Sequence, residues 1–233
     1  MSDRLAARLR ERADPSRVPV LQRFFKTGSG EYAEGDVFIG VTVPGIRVVC
    51  RSCRDATLDE VATLLQSRIH EERMLALLLL VDAFKRGPVA DRRAIYRFYL
   101  ANTDRINNWD LVDLSATAIV GGWLQDRPRT PLTRLARSRS LWERRIAIVA
   151  TSHFIRRGEF EDTLRIADLL LDDEHDLIHK AVGWMLREIG NRDAQAERKY
   201  LKTRYTRMPR TMLRYAIEKF PEGERRRYLE GRI

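Results

Sequence analysis

The sequence predicts an all-α chain: a HEAT-like solenoid of antiparallel helix pairs whose inner helices line a concave face. Three observations predict it. Helix-forming Leu, Ala, Arg and Glu dominate, while Gly and Pro number only 13 and 8 among 233 residues. From residue 56 onward, apolar segments of helical period alternate with short polar breaks. A small residue also recurs near the middle of the strongest segments, at Ala76, Ala116, Ala147, Ala181 and Ala216. Their spacing of roughly 31 to 40 residues is that of stacked two-helix repeats.

In chain order, residues 1–55 read as an N-terminal helix and a lead-in loop, and 56–233 as stacked helix pairs, the whole forming one domain. Lys26-Thr27-Gly28-Ser29-Gly30-Glu31-Tyr32 runs through Gly35 and Gly40 to Pro44 as loop. Gly28-x-Gly30 is a flexible turn, because neither a preceding strand nor a Gly-Lys-Ser/Thr ending makes it a phosphate loop. Thr57, with Glu60 three residues on, forms a capping box that opens a helix. The inner helices are expected at Met74–Arg86, Trp109–Leu124, Glu143–Arg157, Asp176–Ile189 and Thr211–Phe220. Weaker amphipathic stretches at Leu58–Ser67, Asp91–Ala101, Leu132–Ala136 and Phe160–Leu171 supply the outer helices. Gly87-Pro88, Arg127-Pro128, Thr130-Pro131, Arg157-Gly158 and Ile189-Gly190-Asn191 fall where helices should stop.

Composition narrows the partners. Lys and Arg outnumber Asp and Glu by 43 to 33, for a formal charge of +10, which suits a polyanion and is equally compatible with simple solubility. Arg127 to Arg145 holds seven arginines against Glu143 alone, and Arg198 to Arg214 holds seven Lys or Arg with no acid. Such runs are either solvated helix faces or a surface that tracks a phosphate backbone. Met1 to Arg23 is charged throughout, without the apolar core of a secretory signal. The longest apolar run, Met74 to Val81, is too short to cross a bilayer.

Metal and nucleophile chemistry find little support. Cys50 and Cys53 form a lone C-x-x-C with no second ligand pair and no βαβ context, so they are expected to be reduced and structural. His175 and His179 stand one turn apart but lack the glutamate of HExxH and a third ligand. His70 and His153 stand alone and read as structural, and no G-x-S-x-G elbow occurs.

The chemically suggestive residues are tryptophans beside charges. Trp109 and Asp113 are i and i+4 and share a helix face. An indole beside a carboxylate can surround a cation; the alternative is a core Trp and a helix-capping Asp. Trp184 and Arg187, i and i+3, share a face in the same way, with Gly183 leaving room for a close approach. Arg187 could reach a phosphate or pair with Glu188 or Glu218. In Trp142-Glu143-Arg144-Arg145, one Arg should face inward and the other outward.

Ordered motifs strengthen this reading: Phe38-Ile39-Gly40-Val41 with Pro44 and Arg47, Asn108-Trp109-Asp110-Leu111-Val112-Asp113, and Trp142-Glu143-Arg144-Arg145-Ile146-Ala147-Ile148. Ile178-His179-Lys180-Ala181-Val182-Gly183-Trp184-Met185-Leu186-Arg187-Glu188 and Met208-Pro209-Arg210-Thr211 follow in order. Over nearly the whole chain the sequence resembles the DNA alkylation repair family of HEAT-repeat glycosylases, of the AlkD type. Thr42 and Val43 depart from polar DNA contacts of relatives. The resemblance implies that Asp113, Trp109, Trp184 and Arg145 line a catalytic cleft, and that Arg187, Lys180, Arg144, Arg47 and Arg210 contact DNA. It further implies hydrolysis of the N-glycosidic bond of cationic alkylated purines in duplex DNA, without base flipping. Expected substrates are 3-methyladenine and 7-methylguanine, with room for bulky adducts. No metal or other cofactor is implied. The expected state is a monomer in the cytoplasm, on the nucleoid when bound to DNA. The residues alone also fit a non-catalytic HEAT-repeat scaffold for DNA or protein, with the indoles in its core.

Overall fold

The structure, a computed structural model, describes residues 3–233. Its helices pack into two compact units, one ending at Ser115 and the other beginning at Ala116. Among the described residues there is no strand, only an isolated bridge between Val37 and Ile69. The expected all-helical, paired-repeat class is therefore the observed one. No helix is long and apolar enough to cross a membrane, again among the described residues.

In the first unit, α1 (Asp3–Arg10) buries Leu5 and Leu9, one turn apart, and α2 (Val18–Phe25) ends at Lys26 in a left-handed conformation, φ 57°. The lead-in segment is more structured than a loop. Thr42 accepts a hydrogen bond from the Gly45 N–H, and Pro44 occupies the first turn, so α3 (Val43–Ser52) starts where the sequence suggested irregular chain. Proline there lacks only an N–H that the helix leaves unpaired anyway. The Thr57–Glu60 capping box opens α4 (Leu58–Leu65) as expected. α5 (His70–Arg86) is the central element, buried at almost every position from His70 to Val81. It packs on α3, α4 and α6 (Val89–Ala101). The last element is α7 (Trp109–Ala116). Ser115 on α7 bonds the Tyr99 hydroxyl of α6 at 3.0 Å in the core.

The charged start of α5 organises this unit. Its first four side chains are all buried, and each has a partner distant in sequence. Arg10 of α1 bridges to Glu72 at 2.7 Å. Arg73 bridges to Asp36 at 2.7 Å, and His70 meets both Asp36 and Asp110. The Glu71 carboxylate accepts from the N–H groups of Ile39, Gly40 and Val41, at 2.8 Å for Gly40. Gly40 sits at φ +84°, and a Cβ there would lie 1.9 Å from the Asp14 carbonyl oxygen, so this loop admits only glycine.

The second unit opens with a π-helical turn (Thr117–Gly121), followed by α8 (Gly122–Leu124) and α9 (Thr130–Ala136). Next come α10 (Leu141–Ala150), α11 (Ser152–Ile155), α12 (Glu161–Leu169) and α13 (Asp176–Gly190). α14 (Ala194–Lys202), α15 (Arg210–Ala216) and α16 (Glu222–Leu229) complete it. The helix expected at Glu143–Arg157 breaks at Thr151, whose buried hydroxyl donates back to the Ile148 carbonyl at 2.6 Å, a bond that bends helices. α10, α13 and α15 pack in succession, with α9, α12 and α14 on their flanks. Ala147, Ala181 and Ala216 are buried where these inner helices meet.

Candidate functional site

A cavity of about 690 Å³ lies in the first unit, lined by α2, the Phe38–Val43 segment, α3, α5 and α7. Trp109 and Asp113 both line it, as their shared face requires. Trp109 is half-buried and stacks on Phe25, with centroids 5.4 Å apart and planes 21° apart, and it meets Phe24 edge-on at 5.7 Å. Phe25 in turn stacks on Phe38 at 5.1 Å. The His70 ring joins this layer, 4.9 Å from Phe25 and 4.7 Å from Phe38. Phe24 remains 60% exposed at the cavity's edge, and Arg47 is exposed on its α3 wall.

The residues around Trp109 divide the work of holding it. The Asn108 side-chain Oδ1 accepts from the Trp109 N–H at 2.8 Å, and Asp110 Oδ1 accepts from the Leu111 N–H at 2.8 Å. Asn107 donates to Asp36 at 3.2 Å. Asp110 Oδ2 lies 2.9 Å from His70 Nε2, and Asp36 Oδ2 lies 3.2 Å from Nδ1. Capping thus falls to Asn108 and Asp110, while Asp113, one turn further along, is half-buried on the cavity wall. Burial pushes the His70 pKa down, but the Asp110 charge, with hydrogen bonds from Asp110 and Asp36, outweighs it and raises the value above that of an ordinary histidine. Burial likewise opposes ionisation of Asp36, yet the His70 hydrogen bond and the Arg73 charge hold its carboxyl below the usual range.

In the second unit, Trp184 is half-buried and its Nε1 donates to Glu188 at 3.3 Å. The space beside it is filled by this chain itself. A Cβ on Gly183 would lie 2.4 Å from the Met212 carbonyl oxygen and 2.5 Å from Tyr215 Cβ, so the close approach is that of α15. Arg145 is buried, 5% exposed, and donates to the Leu177 carbonyl at 2.6 Å. Arg144 bonds Asp173 at 2.6 Å and the carbonyls of Ser138 and Arg139. Lys180 pairs with Asp176 at 2.6 Å, Arg187 with Glu218, and Arg210 donates to the Leu229 carbonyl at 2.5 Å.

The basic runs look different in space. Arg129 pairs with Glu159 and Asp162, Arg198 with Glu224, Arg204 with Asp168 and Arg207 with Asp172. Each partner lies about one repeat away along the chain. Arg134, Arg137, Arg139, Lys199, Lys202 and Arg214 stay exposed. His175 accepts from the Leu177 N–H to cap α13, and the His179 ring meets the Asp173 carbonyl, so both have local structural partners. Cys50 and Cys53 are free and buried.

The model of the DNA alkylation repair enzyme family matches residues 5–220. The chain belongs to that family. A solved structure described as a predicted DNA alkylation repair enzyme from Enterococcus faecalis superposes with a TM-score of 0.68. The match covers 91% of this chain and 98% of that one at 16% identity, and so supports the shared fold. No curated protein matches significantly. In this family member, sequence reasoning found the Trp109–Asp113 face but missed Phe24, Phe25, His70 and Asp110, which line the cavity around it, and Asp36, which holds the His70 ring.

Proposed function

We propose that this member of the DNA alkylation repair family is a monofunctional DNA glycosylase that hydrolyses the N-glycosidic bond of positively charged alkylated purines in duplex DNA. The observation that carries the reading is the placement of Asp113 and Trp109 on one cavity wall, with the indole held by aromatic stacking. Alkylation at N3 of adenine or N7 of guanine makes the base cationic and already a good leaving group. A general acid is then unnecessary, and one carboxylate suffices where a glycosidase ordinarily uses two. Asp113 stabilises the oxocarbenium-like sugar as the C1′–N bond lengthens, or directs water to C1′. The π-face of Trp109 favours the same positive charge. The chemistry needs no metal or organic cofactor, and no base flipping, with 3-methyladenine, 7-methylguanine and bulkier adducts as substrates.

The remaining roles belong to the same proposal. Arg47, exposed at the cavity, contacts phosphate. Within the second unit, Trp184 presents an indole to the duplex, while Arg145, tied to the first turn of α13, acts by holding the helix that carries it. Lys180, Arg187, Arg144 and Arg210 contact phosphates, with Lys180 and Arg187 exchanging Asp176 and Glu218 for the DNA.

The test is release of 7-methylguanine and 3-methyladenine from alkylated duplex by wild type and Asp113→Asn. The variant should bind duplex as wild type does and lose excision by about 100-fold or more, the scale of removing one transition-state electrostatic partner. Equal release rates would remove Asp113 from the mechanism. A second reading, a non-catalytic HEAT-repeat scaffold for DNA or protein, is favoured by the internal ion pairing of both basic runs. It predicts no abasic product from any alkylated duplex, whatever the affinity.

A further inference from the structure

His70 is 1% exposed, stands at the first residue of α5, and lies on the inner wall of the cavity. Its ring is flanked by Phe25 and Phe38 and edged by a carboxylate at each nitrogen, Asp36 at 3.2 Å and Asp110 at 2.9 Å. A neutral imidazole carries one N–H and one lone pair, so it can donate to only one of these carboxylates and must aim a lone pair at the other. Only the doubly protonated ring satisfies both. Charge balance agrees: the other ionised groups in contact are Asp36, Asp110 and, beside Asp36, Arg73. Two carboxylates against one guanidinium leave a buried negative charge unless His70 is a cation, and an uncompensated buried charge is strongly destabilising.

The position of this cation matters. Asp110 immediately follows Trp109 and caps α7 through Leu111, so the His70–Asp110 bond fixes the first turn of that helix. Trp109 rises from this turn, and Asp113 follows one turn later on the same face. The other side of the ring is anchored through Asp36, which is itself held by Arg73 and Asn107. The α7 start is thereby tied to α5 through this ring, and to the segment before α3 through the ring and the Asn107–Asp36 bond.

We propose that His70 is a positioning residue of this site: as an imidazolium bridging Asp36 and Asp110, it sets the plane of Trp109 and the register of Asp113 toward the cavity. The functional part of this inference rests on the glycosylase reading; the geometric part stands on the network alone. Neither the ring nor its two carboxylates needs to touch substrate.

The experiment is a long-range proton–nitrogen NMR titration of the full chain, with the His70 ring assigned through its contacts to Phe25 and Phe38. Single-turnover base release by wild type and His70→Gln accompanies it. Both ring nitrogens should carry protons at pH 7.5, and the Trp109 indole signal should move in step when the second proton leaves at higher pH. His70→Gln should slow base release by about 10- to 100-fold, the cost of a misplacement near 1 Å. Its affinity for duplex should stay within about two-fold, as expected when only transition-state stabilisation is lost. A single ring proton at pH 7.5 would overturn the proposal. So would a Trp109 signal indifferent to the titration, or wild-type release rates in a folded His70→Gln. If wild type binds alkylated duplex yet releases no base, the glycosylase reading fails, and the ring protons and Trp109 signal still decide the role of His70.

Discussion

Removing the Glu71 carboxylate is expected to unfasten the Phe38–Val41 loop that walls the cavity. Glu71 is 2% exposed and accepts from three successive N–H groups, those of Ile39, Gly40 and Val41, at 2.8 to 3.3 Å. In Glu71→Ala these donors lose their acceptor in an enclosed place, each at about 1–3 kcal/mol. Relaxation is limited on one side, because the Asp14 N–H bonds the Ile39 carbonyl at 3.0 Å and the Asp14 carbonyl lies against Gly40. Ile39 N is only partly buried, so water relieves part of the loss there. The sum is about 3–5 kcal/mol, the range for breaking a buried charged pair, or roughly 6–20 °C in Tm for a chain of this length. Glu71→Gln keeps one carbonyl acceptor but turns an NH₂ toward the same donors, and should cost about half as much. Thermal unfolding by circular dichroism measures the loss, and amide hydrogen exchange locates it at residues 39–41. A Glu71→Ala protein within about 1 kcal/mol of wild type, or one whose Ile39, Gly40 and Val41 amides exchange as before, would refute the reasoning.

Gly183→Ala should destabilise the second unit by about 1–3 kcal/mol, because its Cβ would meet the Met212 carbonyl and Tyr215 at 2.4 and 2.5 Å; an unchanged Tm would show that α13 and α15 are not so close. Glu197 is buried, with Oε1 unpartnered, and burial followed by the Glu224 charge pushes its pKa up to about 8 against the attraction of Arg198 and Arg187. A folded-state pKa raised above the unfolded one contributes stability that is complete below about pH 4.5 and is lost as pH rises toward about 8. Glu197→Gln should therefore match wild type near pH 4.5 and exceed it in Tm at pH 9. A Tm difference that is constant across this range would dismiss the buried-acid reading.

The parts of the fold legible in the sequence are those set by local chain chemistry. The Thr57–Glu60 box, the inner alanines and the Trp109–Asp113 face depend on residues within one or two turns, and all appear in the structure. The lead-in helix α3 was hidden because proline reads as a break, although Thr42 just ahead of it is the signal of a helix start. α14 was hidden by its charge: Asp193 caps it, but Glu197 is buried among lysines and an arginine that obscure any apolar stripe. His70 looks isolated in sequence because Asp36 and Asp110 lie 34 and 40 residues away. The basic runs mislead for the same reason. Arg144 and Asp173, 29 residues apart, or Arg204 and Asp168, 36 apart, are adjacent only after repeats stack. Local sign therefore overstates the positive surface available to a polyanion, and the exposed remainder, including Arg134, Arg137, Lys199 and Lys202, is where a salt-dependent contact should be sought.

This division between local and distant partners also separates Asp110 from Asp113. Two carboxylates stand on α7 within one turn, and their neutralisation should have opposite signatures. Asp110 caps the helix and holds His70, so Asp110→Asn removes one side of a buried ion network and should lower stability along with any activity. Asn108 and Asp110 make the bonds at the helix start, and Asp110 makes the bond to His70, whereas Asp113 sits on the cavity wall with Trp109. On the glycosylase reading its amide variant, of the same size and shape, should keep the grip on duplex and lose what a negative charge does for a sugar becoming positive. If instead Asp113→Asn unfolds the first unit while Asp110→Asn leaves it intact, the roles of the two carboxylates are reversed, and the chemistry must be sought at the other one.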